Sequence, residues 1–208
     1  MQACENTLSD VQGVVFDMDG TLVASDLDFR AIRSEAQVPE GTPILEYLDT
    51  AEGRRREDAL RVLLKHEKRA ARTCRLLPGA REVLETLGRD GYRLALLTRN
   101  SRDSVDEVLR RFALRFEVSL SREETDPKPS PRPVLEIAEQ FGLPPSALLV
   151  VGDYLFDVQA GRAAGARTAL LRTERTEPFL HRADLALDGL TDLLDYLPIA
   201  TPELMETP

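Results

Sequence analysis

The chain has 208 residues, 42% of them hydrophobic and 30% charged, which is the composition of an ordinary globular protein with one substantial core. Its net charge of −9 disfavours non-specific nucleic-acid binding, and no apolar run approaches the roughly 20 residues that a membrane helix needs. The two cysteines, Cys4 and Cys74, stand far apart in no metal-binding spacing, and residues 1–10 lack a secretory signal pattern, so we expect a reducing, cytoplasmic location.

The first predicted element is a buried strand over residues 11–17, an apolar run that leads into two carboxylates one residue apart, Asp17 and Asp19. Two such charges about 4 Å apart in one pocket would repel by roughly 4 kcal/mol at an effective dielectric of 20. A divalent cation, a proton on one carboxyl or a lysine could offset this repulsion. Mg²⁺ takes oxygen ligands and commonly binds one or two carboxylates together with a substrate phosphate. Gly20 follows the pair directly and allows a tight excursion of the backbone.

The next stretch, residues 23–77, shows no clear strand pattern and carries dense charge. Helix formers dominate residues 54–75, and shorter helices are predicted over residues 26–37 and 43–48. The break between the two short helices falls at Pro39 and Gly41. This stretch is therefore predicted to be a small helical insertion.

After residue 77, strands and helices alternate. Apolar runs predict strands over residues 93–98, 116–120, 148–151, 167–171 and 183–187. Apolar residues at helical spacing predict helices over residues 80–87, 105–112, 134–141, 156–164 and 191–197, with Gly88, Gly142 and Gly165 ending three of them. Such alternation indicates βαβ units and an α/β fold, a Rossmann-like parallel sheet sandwiched by helices.

Polar side chains follow three of the predicted strands. Asp17, Thr98 and Asp153 each stand where an apolar run ends, and parallel strands end at one edge of a sheet. Lys128, in a proline-rich loop after the third predicted strand, residues 116–120, can reach the same edge. The sequence thus predicts one polar site at the carboxyl edge of the sheet.

Four motifs support a family resemblance. The run Asp17-Met18-Asp19-Gly20-Thr21-Leu22 resembles the first motif of the haloacid-dehalogenase-like phosphohydrolases, and Thr98 resembles their second motif, a hydroxyl residue closing an apolar strand. Lys128-Pro129-Ser130-Pro131 matches their lysine motif, and Gly152-Asp153 with Asp157 matches their acidic fourth motif, of the form G-D-x-x-x-D. The resemblance covers residues 11–171. Tyr154 departs from the small hydroxyl residue often found there, which puts the pocket rim in doubt but not the metal site.

The resemblance implies catalytic and metal-binding roles. Asp17 would be the nucleophile that forms an aspartyl-phosphate, and Asp19 the general acid for the leaving oxygen and then the base for water. Mg²⁺ would be held by the carboxylates of Asp17 and Asp153 and by the backbone carbonyl of Asp19. Lys128 would offer positive charge to the phosphoryl group and to Asp17.

Further residues are assigned to phosphate binding or to support, and each has an alternative. Thr98 would donate its hydroxyl to a phosphate oxygen, or only satisfy backbone at the strand end. Arg99 and Asn100 would contact phosphate or substrate, although Asn100 with Ser101 could instead cap the following helix. Asp157 would orient Lys128 or a metal-bound water, or act as an N-terminal helix cap.

The insertion is expected to act as a mobile cap, because this family carries such a segment after its first motif. The predicted domains are an α/β core over residues 11–22 and 78–199, a cap over residues 23–77, and tails over residues 1–10 and 200–208. Residues 53–75 hold nine basic and three acidic residues, which would favour a polyanionic substrate or form a solvated helix face. Candidate substrate contacts in the cap are Arg30, Lys65 and His66, the last of which could equally be a packing residue.

The leading functional hypothesis is a Mg²⁺-dependent phosphatase of a small phosphorylated metabolite, similar to phosphoglycolate phosphatases. A phosphotransferase or phosphomutase of the β-phosphoglucomutase type is the alternative, although this cap looks small for a sugar bisphosphate. A non-catalytic phospho-receiver or binding module is more remote, because such modules lack both the Gly-Thr-Leu continuation and a cap. We expect no nucleic-acid or membrane partner, and either a monomer or a homodimer.

Overall fold

The structure is a computed structural model that describes residues 8–199. The predicted tails lie outside the described residues except for residues 8–10, and Cys4 lies outside them as well. Leu8 is buried, and its N–H donates to the carbonyl of Tyr196 at 2.8 Å, so residue 8 already belongs to the folded part of the chain.

The described chain contains eight strands and eight α-helices. The strands are β1 (Gly13–Phe16), β2 (Val23–Ala24), β3 (Arg75–Leu76), β4 (Arg93–Leu97), β5 (Val118–Leu120), β6 (Leu148–Gly152), β7 (Arg167–Leu171) and β8 (Leu185–Leu187). The helices are α1 (Phe29–Glu35), α2 (Ile44–Thr50), α3 (Gly53–Thr73), α4 (Ala80–Arg89), α5 (Arg102–Phe112), α6 (Arg132–Phe141), α7 (Leu155–Ala164) and α8 (Leu193–Tyr196). Short 3₁₀ turns precede β6, β8 and α8.

Six strands form one sheet in the order β5-β4-β1-β6-β7-β8, and every neighbouring pair is parallel. The predicted α/β fold with a parallel sheet flanked by helices is therefore confirmed. The central strands are buried along their length, as their continuous apolar sequences require when helices cover both faces. The sheet order places β4 and β6 on either side of β1, so the ends of these three strands are neighbours.

The helices of the regular part follow the predicted apolar stripes, with one difference. Gly142 and Gly165 end α6 and α7 in the left-handed conformation, as predicted. The prediction for Gly88 was wrong, because α4 continues through it to Arg89. The left-handed residue is instead Gly91, with φ of +84°, where the N–H of Tyr92 turns back to the carbonyl of Leu87. Gly91, three residues after Gly88, therefore provides the left-handed turn that follows α4.

The described chain divides into two compact units. The first contains the residues up to Ala24, Leu76–Arg99 and the residues from Arg115 onward, and it holds the six-stranded sheet. The second contains Ser25–Arg75 and Asn100–Leu114, hence α1, α2, α3 and α5. This grouping joins α5 to the helical segment, whereas the sequence assigned it to residues 78–199. The domain boundaries remain a prediction.

The second unit has an apolar core of its own. Ile32, Ile44, Ala59 and Leu63 are buried together where α1 and α2 pack against α3. The guanidinium of Arg111 on α5 donates to the carbonyls of Ala71 and Cys74, which satisfies acceptors at the end of α3. Over residues 8–199, no helix has both the length and the apolar composition needed to cross a membrane.

Candidate active site

The loop after β1 is shaped around Gly20. The N–H of Asp17 extends the sheet by donating to the carbonyl of Val151 at 2.9 Å, and Asp19 forms an isolated bridge with Val23. Gly20 has a φ of +82°, which side-chain-bearing residues rarely adopt. A Cβ at this position would lie 2.1 Å from Oδ2 of Asp153, so the glycine makes room for that carboxylate. The loop sequence therefore fixes where two of the acidic residues meet.

Lys128 lies at the centre of the site. Its ammonium donates to Oδ1 of Asp17 at 2.6 Å, to Oδ1 of Asp157 at 2.5 Å and to the carbonyl of Leu97 at 2.8 Å. Only 3% of the Lys128 side chain is exposed, so all three donors of the ammonium are used inside the protein. The structure thus brings Lys128 to the carboxyl ends of β1 and β4, as the sequence predicts.

Asp157 combines both of the roles considered for it. Its Oδ2 accepts from the N–H of Tyr154 at 3.1 Å, which caps the start of α7, while its Oδ1 accepts from Lys128. Gly152 allows this packing, because a Cβ there would lie 2.1 Å from the carboxyl carbon of Asp157. The helix cap and the orientation of Lys128 therefore depend on one carboxylate.

Three carboxylates converge beside the ammonium. Asp17, Asp153 and Asp157 each place one oxygen within 4.8 Å of the others, a spacing that can surround a cation. Because both oxygens of Asp157 already have protein partners, Asp17 and Asp153 are the better candidates for ligands. Asp19 is partly buried, and its charge contributes to the electrostatics of Asp153.

Burial perturbs the acidic groups strongly. It raises the pKa of Asp17 well above the ordinary value, although the positive charge of Lys128 acts in the opposite direction. Burial and the charge of Asp157 raise the pKa of Asp153 to about 6. Burial also disfavours the ammonium form of Lys128, but the attraction of Asp157 and Asp17 outweighs it and raises the pKa of Lys128. The pocket therefore holds more negative charge than one lysine neutralises.

The predicted phosphate-binding residues lie at the end of β4. The N–H of Thr98 donates to the carbonyl of Leu120 at 3.0 Å, and the side chains of Thr98 and Asn100 are buried. Arg99 donates from Nη1 to the carbonyl of Lys128, and its guanidinium lies 4.5 Å from the centre of the Phe156 ring. Arg99 thus ties the loop that carries Lys128 to the end of the strand.

The three candidate contacts from the helical segment lie in the second unit. Lys65 and His66, on α3, both bind Glu35, from Nζ to Oε1 at 2.7 Å and between Nε2 and Oε2 at 2.9 Å. Arg30 is exposed in the first turn of α1, where its N–H donates to the capping carboxylate of Asp28. Their predicted role toward a substrate remains a prediction.

Arg175 is a residue of the site that the sequence does not predict. Its guanidinium donates from Nη2 to Oδ2 of Asp153 at 3.1 Å and lies 4.7 Å from the centre of the Tyr154 ring. Arg175 follows β7 in a segment without a recognisable motif. The only signal in the sequence is that this segment also begins at the carboxyl end of a predicted strand.

Comparisons with known proteins agree with this arrangement. A family model described as haloacid dehalogenase-like hydrolase matches residues 14–171. A haloacid dehalogenase-like hydrolase domain-containing protein of Arabidopsis thaliana is 32% identical over 198 residues, which are 89% of this chain and 79% of the relative. A phosphoglycolate phosphatase of Nitrosospira multiformis is 30% identical over 184 residues, 75% of this chain and 81% of that protein.

Solved structures support the fold. A hydrolase from Pseudomonas syringae superposes with a TM-score of 0.77 at 24% sequence identity, covering 89% of this chain and 97% of that structure. The family match runs from within β1 to the end of β7 and includes Asp17, Lys128, Asp153 and Asp157, whereas Arg175 lies beyond it. The chain therefore belongs to the haloacid dehalogenase-like hydrolase family and is a phosphatase-type hydrolase.

Proposed function

We propose that this protein is a Mg²⁺-dependent phosphatase that hydrolyses a small phosphomonoester through an aspartyl-phosphate on Asp17, in the manner of phosphoglycolate phosphatases. The observation that carries the proposal is the buried Lys128 ammonium, which binds Asp17 at 2.6 Å and Asp157 at 2.5 Å beside Asp153. A lysine so placed opposes the rise that burial causes in the pKa of the Asp17 carboxyl, and it offers charge to an incoming phosphoryl group.

The donor set fits a hard dication. Carboxylate oxygens are the ligands that Mg²⁺ prefers, and three of them lie within 4.8 Å of one another here. Gly20 leaves room for one of these carboxylates, since a Cβ there would lie 2.1 Å from Oδ2 of Asp153. The carboxylates of Asp17 and Asp153 and the backbone carbonyl of Asp19 would hold the ion. Bound Mg²⁺ would screen the repulsion between Asp17 and the phosphate and stabilise charge on the phosphoryl oxygens.

The chain's own residues account for both halves of the reaction. The carboxylate of Asp17 attacks phosphorus while Lys128 engages its Oδ1. The bond from phosphorus to the substrate oxygen breaks, and Asp19 gives that oxygen its proton. In the second half, Asp19 takes a proton from water, which attacks phosphorus and releases Asp17 and inorganic phosphate. Asp157 keeps Lys128 in position throughout.

Phosphate binding is assigned to the end of β4. Thr98 would donate its hydroxyl to a phosphoryl oxygen, with Asn100 nearby in sequence to contact the same group. Arg99 is proposed to act on phosphate indirectly, because its guanidinium holds the carbonyl of Lys128 and packs on Phe156. Arg30, Lys65 and His66 are proposed as contacts to the rest of the substrate.

The test is phosphate release from p-nitrophenyl phosphate and from a panel of small phosphomonoesters that includes phosphoglycolate. We expect turnover that needs Mg²⁺ and that Asp17→Asn lowers by at least about a thousandfold, because the nucleophile is lost. Asp188→Asn is the matched control, since the exposed Asp188 carboxylate pairs with Arg172 and with none of the proposed catalytic residues, so it should keep full activity. Equal turnover by the wild type and Asp17→Asn would overturn the proposal.

A further inference from the structure

The segment after β7 is fixed by a threonine. The Thr176 side chain is fully buried; its Oγ1 donates to the carbonyl of Leu171 at 2.8 Å and accepts from the N–H of Thr173 at 2.8 Å. The N–H of Thr176 donates to the carbonyl of Thr173 at 3.1 Å, which closes the turn. Residues 172–176 therefore form a hydrogen-bonded loop at the carboxyl edge of the sheet, directly after β7, which neighbours β6.

This loop directs Arg175 toward Asp153. The guanidinium donates to Oδ2 of Asp153 at 3.1 Å and lies over the ring of Tyr154, 4.7 Å from its centre. Tyr154 in turn makes edge contacts with Phe156 and Phe179, with ring centres 5.0 and 6.0 Å apart. Tyr154 is the position at which this chain departs from the family's small hydroxyl residue, so the aromatic platform under Arg175 is a feature of this sequence.

We propose that Arg175 is a positioning residue that competes with the divalent cation for Asp153, so that the metal binds by displacing an ion pair. The inference rests on the proposed function, because it takes Asp153 as a metal ligand. It assigns a role to a residue outside the four motifs.

Charge balance supports competition. Asp17, Asp153 and Asp157 carry three negative charges when ionised, and Lys128 supplies one positive charge. Arg175 supplies a second in the absence of metal, on the one carboxylate of the three that Lys128 does not bind. A dication at the same carboxylates makes the charge of Arg175 superfluous and repels it.

The exposure of Arg175 favours displacement over fixed support. Its side chain is 54% exposed, whereas only 15% of Asp153 is exposed, so the guanidinium can leave the carboxylate at little cost in solvation. The contact with Tyr154 can persist after the hydrogen bond to Asp153 is given up. Arg175 would then lie at the rim of the pocket, still positively charged.

The test is a calorimetric titration of the full-length, metal-free protein with MgCl₂, repeated with MnCl₂. We expect Arg175→Gln to lower the dissociation constant about two- to fivefold, the range that corresponds to loss of one exposed ion pair. Arg175→Lys keeps the positive charge and should stay within twofold of the wild type. Arg172→Gln is the matched control from the same loop, since Arg172 pairs with Asp188 and Glu177, and it should not change the affinity.

Two results would overturn the inference. An unchanged or weaker affinity in Arg175→Gln would show that Arg175 does not compete with the metal. A tightening that Arg175→Lys shares in full would show that charge is not the cause. Absence of metal binding in the wild type would instead refute the metal site of the proposed function, and the phosphate-release assay with and without a chelator detects that failure separately.

Discussion

Among residues 8–199, two lysine–carboxylate clusters have similar distances and opposite surroundings. In the first unit, Lys128 lies between Asp17 and Asp157 at 2.5–2.6 Å with 3% of its side chain exposed. In the second unit, Lys65 shares Glu35 with His66 at 2.7–2.9 Å, and 67% of the Lys65 side chain is exposed. The hydrogen bonds look alike, but only the first cluster is shielded from water.

Burial, and not pairing alone, makes an ionic cluster chemically active. Water and salt screen the charges of the exposed cluster, so its ion pairs contribute little free energy. In the buried cluster water cannot solvate the carboxylates, which raises the pKa of Asp17. Positive charge nearby, from a lysine or a metal ion, stabilises the ionised carboxylates in such a site.

Removal of the buried ammonium should have the largest effect. Lys128→Met leaves Asp17 and Asp157 together without their shared cation, and we expect a loss of roughly 3 kcal/mol in the free energy of unfolding. Turnover should fall at least about a hundredfold, because the phosphoryl group loses a charged donor. Urea unfolding followed by circular dichroism measures the first effect, and phosphate release measures the second.

The same substitution in the exposed cluster is the control. Lys65→Met should unfold at the same urea concentration as the wild type, because solvent replaces the lost ion pair. If the two variants lost equal stability, burial would not be the property that distinguishes the clusters.

Gly20 tests whether the acidic pocket needs its close backbone approach. Gly20→Ala places a Cβ 2.1 Å from Oδ2 of Asp153 at a φ of +82°. We expect Mg²⁺ binding to weaken by at least about tenfold and the free energy of unfolding to fall by about 1–3 kcal/mol. Gly91→Ala has nearly the same φ, +84°, and an open surrounding. It should show the backbone strain without the loss of metal affinity. Equal metal binding by both variants would contradict the assignment of Asp153.

The raised pKa of Asp153 predicts a pH effect on stability without metal. Burial and the charge of Asp157 raise this pKa from 3.8 to about 6, so the folded state binds the proton more tightly than the unfolded state. The contribution to stability is favourable at low pH and is lost as the pH rises from about 4 through 6. Asp153→Asn removes this penalty, so above pH 6 it should be more stable than the wild type by roughly 1–3 kcal/mol in the presence of a chelator.

The comparison with pH 4.5 gives the control for this effect. There Asp153 is still protonated in the folded protein but already largely ionised in the unfolded chain, so the difference between the wild type and Asp153→Asn should fall to about a third of its value at neutral pH. Unfolding by urea at both pH values measures the difference. A gain in stability that does not depend on pH would show that the asparagine acts by packing and not by charge.

The sequence predicts the site better than its surroundings. Asp17, Thr98 and Asp153 could be placed at one edge because the end of a buried parallel strand is a local, readable signal. Lys128 could be placed there because it lies in a loop that follows a predicted strand. Arg175 was missed because its contact depends on how the loop after β7 folds back, which no local pattern encodes.

The helical segment illustrates the same limit. Helix formers predicted α3, but only the structure shows that Lys65 and His66 turn to Glu35 and that α5 clusters with α3. Propensity and periodicity locate a helix along the chain, whereas long-range contacts decide which face meets which partner. The end of α4 was mispredicted at Gly88, since the left-handed residue is Gly91, three residues further along.

The smallest expected effect concerns the exposed cluster. Hydrogen bonds from Lys65 and His66 lower the pKa of Glu35, so the carboxylate stays ionised near neutral pH and Glu35→Gln removes one negative charge there. Because the cluster is solvated, we expect the urea midpoint and kcat to stay at wild-type values. KM for a small phosphomonoester is the informative quantity. An unchanged KM would mean that Lys65 and His66 serve only the second unit, whereas a lower KM would mean that Glu35 normally holds them back from an anionic substrate.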